Sequence, residues 1–105
     1  MNTFRVELSI RAEFELDAAA NWIATSSPEA ASRWYWGFIS AIESLSTFPR
    51  RCSLAAEHAQ FPYELRQLLY GRRRSYRAVF TIQEDVVTVV AIRHAKQSDL
   101  MPEDV

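Results

Sequence analysis

The chain has 105 residues, of which 49% are apolar and 24% charged, and its formal net charge is −1 at pH 7. This length and composition predict one globular domain over residues 1–105. No apolar run is long enough for a membrane span, and the start, MNTFRVELSI, lacks the features of a secretory signal. The single cysteine, Cys52, cannot form an internal disulfide. These features indicate a protein of the reducing cytoplasm, with no metal, cofactor or membrane partner.

The charges are unevenly distributed along the chain. Residues 1–49 carry three basic and six acidic side chains, a net of −3, whereas residues 50–96 carry nine basic and four acidic ones, a net of +5. All basic residues except Lys96 are arginines, which suit two-pronged contacts with phosphates or carboxylates. The pattern favours an anionic ligand on one face, and the alternative is an ordinary solvated surface.

The first half of the chain is predicted to begin with a strand and a helix. Residues 4–8 (FRVEL) alternate apolar and polar side chains, as a half-buried strand does. Ser9 is a suitable N-cap for a helix over about residues 10–25. The apolar face of that helix would be formed by Ala12, Leu16, Ala19 and Ile23.

The second helix has a strong start signal. Ser27 can cap it, Pro28 occupies the first helical position, where no N–H is needed, and Glu29 faces the positive end of the helix dipole. The apolar positions that follow are Ala31, Trp34, Phe38, Ala41, Leu45 and Phe48. This stripe predicts a helix that continues until Pro49 stops it.

Three strands are predicted in the second half, after a polar loop. Residues 64–70 (ELRQLLY) and 75–82 (SYRAVFTI) have the composition of strands on either side of a turn at Gly71. A turn at 83–85 leads to residues 86–92 (VVTVVAI), which are so rich in valine that they predict a central strand.

The element order β-α-α-β-β-β predicts an α+β fold. The last three strands are expected to form an antiparallel sheet, and the two helices a hairpin packed on one face of it. The other face would then be free and would carry arginines. A ligand could bind there.

The helix SPEAASRWYWGFISAIESLSTFP, the strand ELRQLLYG and the C-terminal pattern YRAVF-I---V-VV-IRHA occur in this order. Together they closely resemble the RelE/ParE superfamily of bacterial type II toxins, from about Phe4 to Leu100. The resemblance implies a small cytoplasmic toxin. It also implies that a co-produced antitoxin wraps around the toxin in a hetero-oligomer and holds it inactive.

The resemblance implies one of two activities. RelE-like members cleave mRNA on the ribosome, and ParE-like members block DNA gyrase. Arg77 stands where RNA-cleaving members carry an arginine that contacts the scissile phosphate, and His94 lies near the position of a catalytic histidine in some of them. Glu57 is a candidate for the base of one branch. Metal-free RNA cleavage needs such a set of acid, base and cation.

Departures from the nuclease pattern favour the ParE-like activity. Ala95 follows His94 where the histidine-bearing nucleases have an aromatic residue, and the C-terminal segment SDLMPEDV has no tyrosine. The net charge is not basic. The predicted function is therefore a toxin that inhibits DNA gyrase. A ribosome-dependent mRNA endoribonuclease is the alternative, and an inactive toxin-like interaction module is a further one.

The candidate residues also have structural interpretations. Arg77 could form an ion pair with a carboxylate such as Glu64 across the sheet, and His94 could hydrogen-bond a loop at the strand end. Residues predicted to bind the target or a nucleic acid are Arg66, Arg72, Arg73, Arg74 and Arg93. For the three arginines in the turn, the alternative is a solvated and mobile segment.

Three aromatic residues of the helices are candidates for the antitoxin site. Trp22, Tyr35 and Trp36 cannot all lie on the buried stripe, because neighbouring helix positions point in different directions. At least one of them should be exposed. An exposed aromatic beside an apolar rim is typical of a partner-binding surface.

Overall fold

The structure, a computed structural model, describes residues 3–105. Its elements are β1 (Arg5–Leu8), α1 (Ile10–Ala24), α2 (Pro28–Glu43), β2 (Arg66–Tyr70), β3 (Tyr76–Gln83) and β4 (Val86–His94). The predicted order and the α+β class are confirmed. Within the described residues, no helix has both the length and the apolar character needed to cross a membrane.

The four strands form one sheet in the order β1-β4-β3-β2. The last three strands are an antiparallel meander, as predicted. β1 joins in parallel to β4, with Arg5 opposite Val86 and Leu8 opposite Val89, so the whole sheet is mixed. β1 satisfies the backbone groups on the outer side of β4, which an edge position would leave without partners in the protein.

The predicted caps fix the start of both helices. The Ser9 hydroxyl accepts a hydrogen bond from the Ala12 N–H at 3.1 Å, and the Ser27 hydroxyl accepts one from the Ala30 N–H at 3.1 Å. Each cap contributes about 1 kcal/mol to stability.

The second helix ends earlier than predicted. α2 stops at Glu43, and a short 3-10 turn, Ser44–Ser46, replaces the last predicted turn. Phe48 is therefore outside the helical stripe, in a left-handed conformation with φ of 47°, and it is 68% exposed. Phe38 and Leu45, which the apolar stripe placed on the buried face, are buried.

The main core lies between the helices and one face of the sheet. It is formed by Ala12, Leu16, Phe38, Ile42, Leu45, Ala78, Phe80, Val87, Val89 and Ile92. At its rim, Tyr70 stacks on Phe38 with ring centroids 4.3 Å apart and donates a hydrogen bond to the Trp34 carbonyl. This approach depends on Gly37, since a Cβ there would lie 2.2 Å from the Tyr70 hydroxyl.

The opposite face of the sheet is covered, so the prediction of a free, arginine-bearing face is wrong. The loop that precedes β2 and the segment that follows β4 fold over this face. The buried side chains of these two segments pack on Val79 and Ala91 of the sheet. These side chains are Ala55, Phe61, Leu65 and Leu100. The loop lacks a regular apolar period, and for this reason its packing role is not evident in the sequence.

Candidate functional site

Arg77 lies on the covered face of the sheet, where its guanidinium is held by Glu57. Nη1 donates to Glu57 Oε1 at 2.9 Å, and Nη2 donates to Oε2. Nη1 also lies 3.3 Å from the Gln67 side-chain oxygen. This is a two-pronged ion pair between a strand and the loop, and charge-assisted pairs of this geometry are strong. The carboxylate partner of Arg77 is thus Glu57, whereas Glu64 pairs with Arg66.

Glu57 is buried, and its side chain is inaccessible to solvent. Burial opposes the ionised form and would by itself raise the pKa of Glu57. The hydrogen bonds from Arg77 and from the Leu100 N–H, which lies 2.8 Å from Oε2, outweigh this effect, and the pKa of Glu57 is lowered. The carboxylate is therefore ionised at neutral pH and joins the loop, the sheet and the C-terminal segment.

Arg93 lies beside Arg77 in the next strand and is 6% exposed. Its Nη2 donates to the Ser98 carbonyl, and its Nε has no hydrogen-bond partner among the described residues. Within residues 3–105 no carboxylate pairs with it. A buried cation in this state is costly. Its visible role is to hold the chain after β4 against the sheet.

His94 lies on the helix side of the sheet. In the register of β3 and β4, Tyr76 is opposite His94, and Arg77 is opposite Arg93. Successive side chains of a strand point to opposite faces, and the rings of Tyr76 and His94 are 4.9 Å apart. The structure therefore brings Arg77 and Glu57 together and places His94 on the other face.

The imidazole of His94 has a defined orientation. Its Nδ1 accepts a hydrogen bond from the Lys96 N–H at 3.0 Å. In the neutral ring the proton is therefore on Nε2, which remains a donor. The hydrogen bond to the following turn matches the structural interpretation of this residue. Its catalytic role stays a prediction.

The other predicted arginines fall into two groups. Arg66 is engaged, because it pairs with Glu64 at 2.9 Å and donates to the Cys52 carbonyl at 2.6 Å. Arg72–Arg74 form the exposed turn between β2 and β3, in which Arg73 and Arg74 have φ of 56° and 54°. Among residues 3–105, no side chain forms an ion pair or hydrogen bond with these three guanidinium groups.

The candidate antitoxin residues are largely exposed, as the helix geometry predicts. Trp22 is 73% exposed and Trp36 is 65% exposed. Tyr35 is half-buried, with its ring 5.1 Å from that of Trp36. Phe14, which is 74% exposed, was missed at the sequence level. Phe14 lies outside the predicted apolar face of α1, and its exposure could have been predicted from that position.

The described residues contain no group of three or more His, Cys, Asp or Glu side chains that could hold a metal ion. The chemistry that these residues offer is that of arginine, histidine and aromatic side chains. In the sheet, Arg77 and Arg93 lie on the covered face, and His94 lies at the edge of the face that carries the helices.

Comparison with known proteins assigns the family. Residues 6–99 match the family model for the ParE toxin of the type II toxin–antitoxin system parDE. A solved structure of the chromosomal ParDE TA system from P. aeruginosa has a similar fold, with a TM-score of 0.71 and 16% sequence identity over 90% of this chain and 98% of that one. No curated protein sequence matches significantly. The family model covers most of the chain, and the chain therefore belongs to the ParE toxin family of type II toxin–antitoxin systems.

Proposed function

We propose that this toxin acts in the cytoplasm by inhibiting DNA gyrase, and that it does not cleave RNA. The observation that carries this proposal is the environment of Arg77. Both of its terminal nitrogens donate to the buried carboxylate of Glu57. Its positive charge is compensated inside the protein, which supports a structural role for Arg77 over a contact with a phosphate.

The remaining nuclease candidates support the same proposal. A metal-free nuclease needs its base, its acid and its phosphate-binding cation around one phosphodiester. Here His94 lies on the opposite face of the sheet from Arg77 and Glu57. Glu57 is buried, so a substrate hydroxyl cannot reach it unless the loop opens. Its carboxylate is kept ionised by the hydrogen bonds from Arg77 and the Leu100 N–H, which lower its pKa.

A partner antitoxin would neutralise the toxin by covering its helices. The support is the pair of exposed tryptophans, Trp22 and Trp36, together with the similar structure, which is that of a ParDE toxin–antitoxin system. Large exposed aromatic side chains are the residues that most often dominate a protein–protein interface. The resulting complex is a hetero-oligomer.

The activity is tested with purified toxin in two assays. We expect inhibition of supercoiling by gyrase, and intact mRNA when the toxin is added to translating ribosomes. Ribosome-dependent cleavage that is lost in His94→Ala would overturn the proposal and make His94 catalytic. Cleavage lost in Arg77→Ala but kept in His94→Ala would point to phosphate stabilisation. Absence of both activities from folded protein would identify an inactive module.

Binding of the antitoxin is tested by calorimetry with the co-produced antitoxin. Trp36→Ala should weaken binding by about 2 kcal/mol, as expected for a hot-spot residue. Phe48→Ala is the matched control, because Phe48 is equally exposed but lies beyond α2. Equal effects of the two substitutions, or none from either, would contradict the proposed surface.

A further inference from the structure

Two concave surfaces meet at the end of the sheet where β3 begins and β4 ends. One, of about 620 Å³, lies between α1 and the end of β4. The other, of about 570 Å³, lies against the turn between β2 and β3. Both are lined by His94 and Lys96, so the two surfaces adjoin at these residues, and we call them together the end groove.

The turn side of the end groove is cationic. It is lined by Arg72, Arg73, Lys96 and His94, together with Ser75 and Ala95, and contains no acidic side chain. Among residues 3–105, no carboxylate pairs with the side chains of Arg72, Arg73 or Lys96. These charges stand in contrast to the compensated Arg77 and are available to an anion.

The helix side of the end groove is aromatic and apolar. Phe14 and Trp22, both exposed on α1, line it together with Ala18 and Ile92. The acidic residue there, Glu15, already accepts from the Arg11 side chain and from the Ile92 N–H at 2.9 Å. A carboxylate retains further lone pairs, so Glu15 can still accept from an N–H of a ligand.

We propose that the end groove binds a short single-stranded nucleic acid. Phosphates would contact Arg72, Arg73 and Lys96, and a base would stack on Trp22. Nonspecific single-strand sites combine a positive groove with aromatic platforms in this way. An acidic peptide suits the cations equally well, but the exposed Trp22 beside them offers a stacking partner to a base, which the side chains of an acidic peptide do not use. This inference concerns the toxin without its antitoxin, which would cover Trp22 in the proposed complex, and it is independent of whether gyrase is the target.

The test measures binding of fluorescently labelled single-stranded DNA and RNA oligonucleotides of equal sequence to the full chain over a range of salt concentrations. Three phosphate contacts predict a slope of about −2 in a plot of log K against log salt. A preference between DNA and RNA would identify the natural source of the strand, while equal binding would mean that only the shared backbone and bases are recognised.

Variants separate the charged and aromatic halves of the groove. Arg72→Gln with Arg73→Asn should weaken binding by about tenfold and reduce the salt slope. Asparagine is chosen because it tolerates the left-handed conformation at Arg73, and a thermal melt checks the fold. Trp22→Ala should weaken binding by about tenfold at an unchanged slope. The matched control, Arg5→Gln with Arg50→Gln, removes two exposed arginines beside Phe4, near β1, and should change binding by less than about twofold.

Three results would overturn the inference. The first is that the wild-type protein binds neither oligonucleotide. The second is that the groove variant and the distant control lose the same amount of affinity. The third is that a polyglutamate peptide of the same charge binds more tightly than the oligonucleotides. The last result would assign the groove to an acidic protein segment.

Discussion

Arg77 and Arg73 are close in sequence and lie in opposite environments. Arg77 is held by two hydrogen bonds to a buried carboxylate, whereas Arg73 stands in an exposed turn without an ion-pair partner among the described residues. Through Glu57, which also accepts from the Leu100 N–H, Arg77 is tied to the loop and the C-terminal segment, whereas Arg73 is free to meet a ligand. Within this basic region, the arginine at the position of a catalytic residue, Arg77, has a structural partner. Of the two arginines, the one whose charge is uncompensated within residues 3–105 is Arg73, in the exposed turn.

The largest effect is expected from breaking the buried pair. Glu57→Gln leaves the Arg77 charge without compensation and should lower the free energy of unfolding by about 3 kcal/mol or more. Urea unfolding measures it. Glu64→Gln is the matched control, because Glu64 is in an exposed pair with Arg66, and it should cost less than about 1 kcal/mol. Equal losses of unfolding free energy in the two variants would mean that the buried Glu57–Arg77 pair stabilises the fold no more than an exposed pair does.

A second effect of similar size concerns the segment after β4. Leu100 is fully buried on the covered face, and Leu100→Ala should lower the free energy of unfolding by about 3 kcal/mol. Met101→Ala, at a neighbouring residue that is 39% exposed, is the control and should cost much less. A small cost at Leu100 would show that the C-terminal segment is not part of the folded core.

The pH dependence of stability should also reveal the Glu57 pair. The pKa of Glu57 is lowered in the folded protein, so its contribution is complete above the unfolded-state pKa of about 4.3 and is lost as the pH falls through the lower folded-state pKa. The difference in unfolding free energy between wild type and Glu57→Gln should therefore be constant near neutral pH and shrink below about pH 4. A difference that does not vary with pH would contradict the ionised pair.

The smallest effect is expected in the turn. Arg73 has a positive φ, which costs an ordinary side chain about 1 kcal/mol, and Arg73→Gly removes this cost but adds backbone entropy to the unfolded state. The net change should be within about 0.5 kcal/mol of zero, as measured by thermal unfolding. A large destabilisation would mean that the Arg73 side chain holds the fold, as Arg77 does.

Local patterns predicted most of the regular structure. The caps Ser9 and Ser27 and the apolar periods fix where the helices lie, because these signals act over a few residues. The parallel pairing of β1 with β4 depends on contacts between residues about 80 positions apart, for which no short-range signal exists.

The arrangement of the site was less accessible to sequence reasoning. The relative positions of Arg77 and His94 depend on the register of β3 and β4, which shifts between Val79 and Phe80. That irregularity is not visible in the sequence, and neither is the loop that brings Glu57 to Arg77. The predicted ion pair of Arg77 with a carboxylate is present, and the carboxylate is that of Glu57 and not that of Glu64, the example named from the sequence.

The most direct test of a structural Arg77 is the double variant Glu57→Gln with Arg77→Met, compared with both single variants. The glutamine that replaces Glu57 keeps an acceptor for the Leu100 N–H, and the methionine removes the buried charge. Neutralising both members should restore most of the stability lost in Glu57→Gln. If Arg77 only stabilises the fold, the proposed inhibition of gyrase should be as strong with the double variant as with the wild type. A double variant that is as stable as the wild type but inactive would show that Arg77 acts on the target.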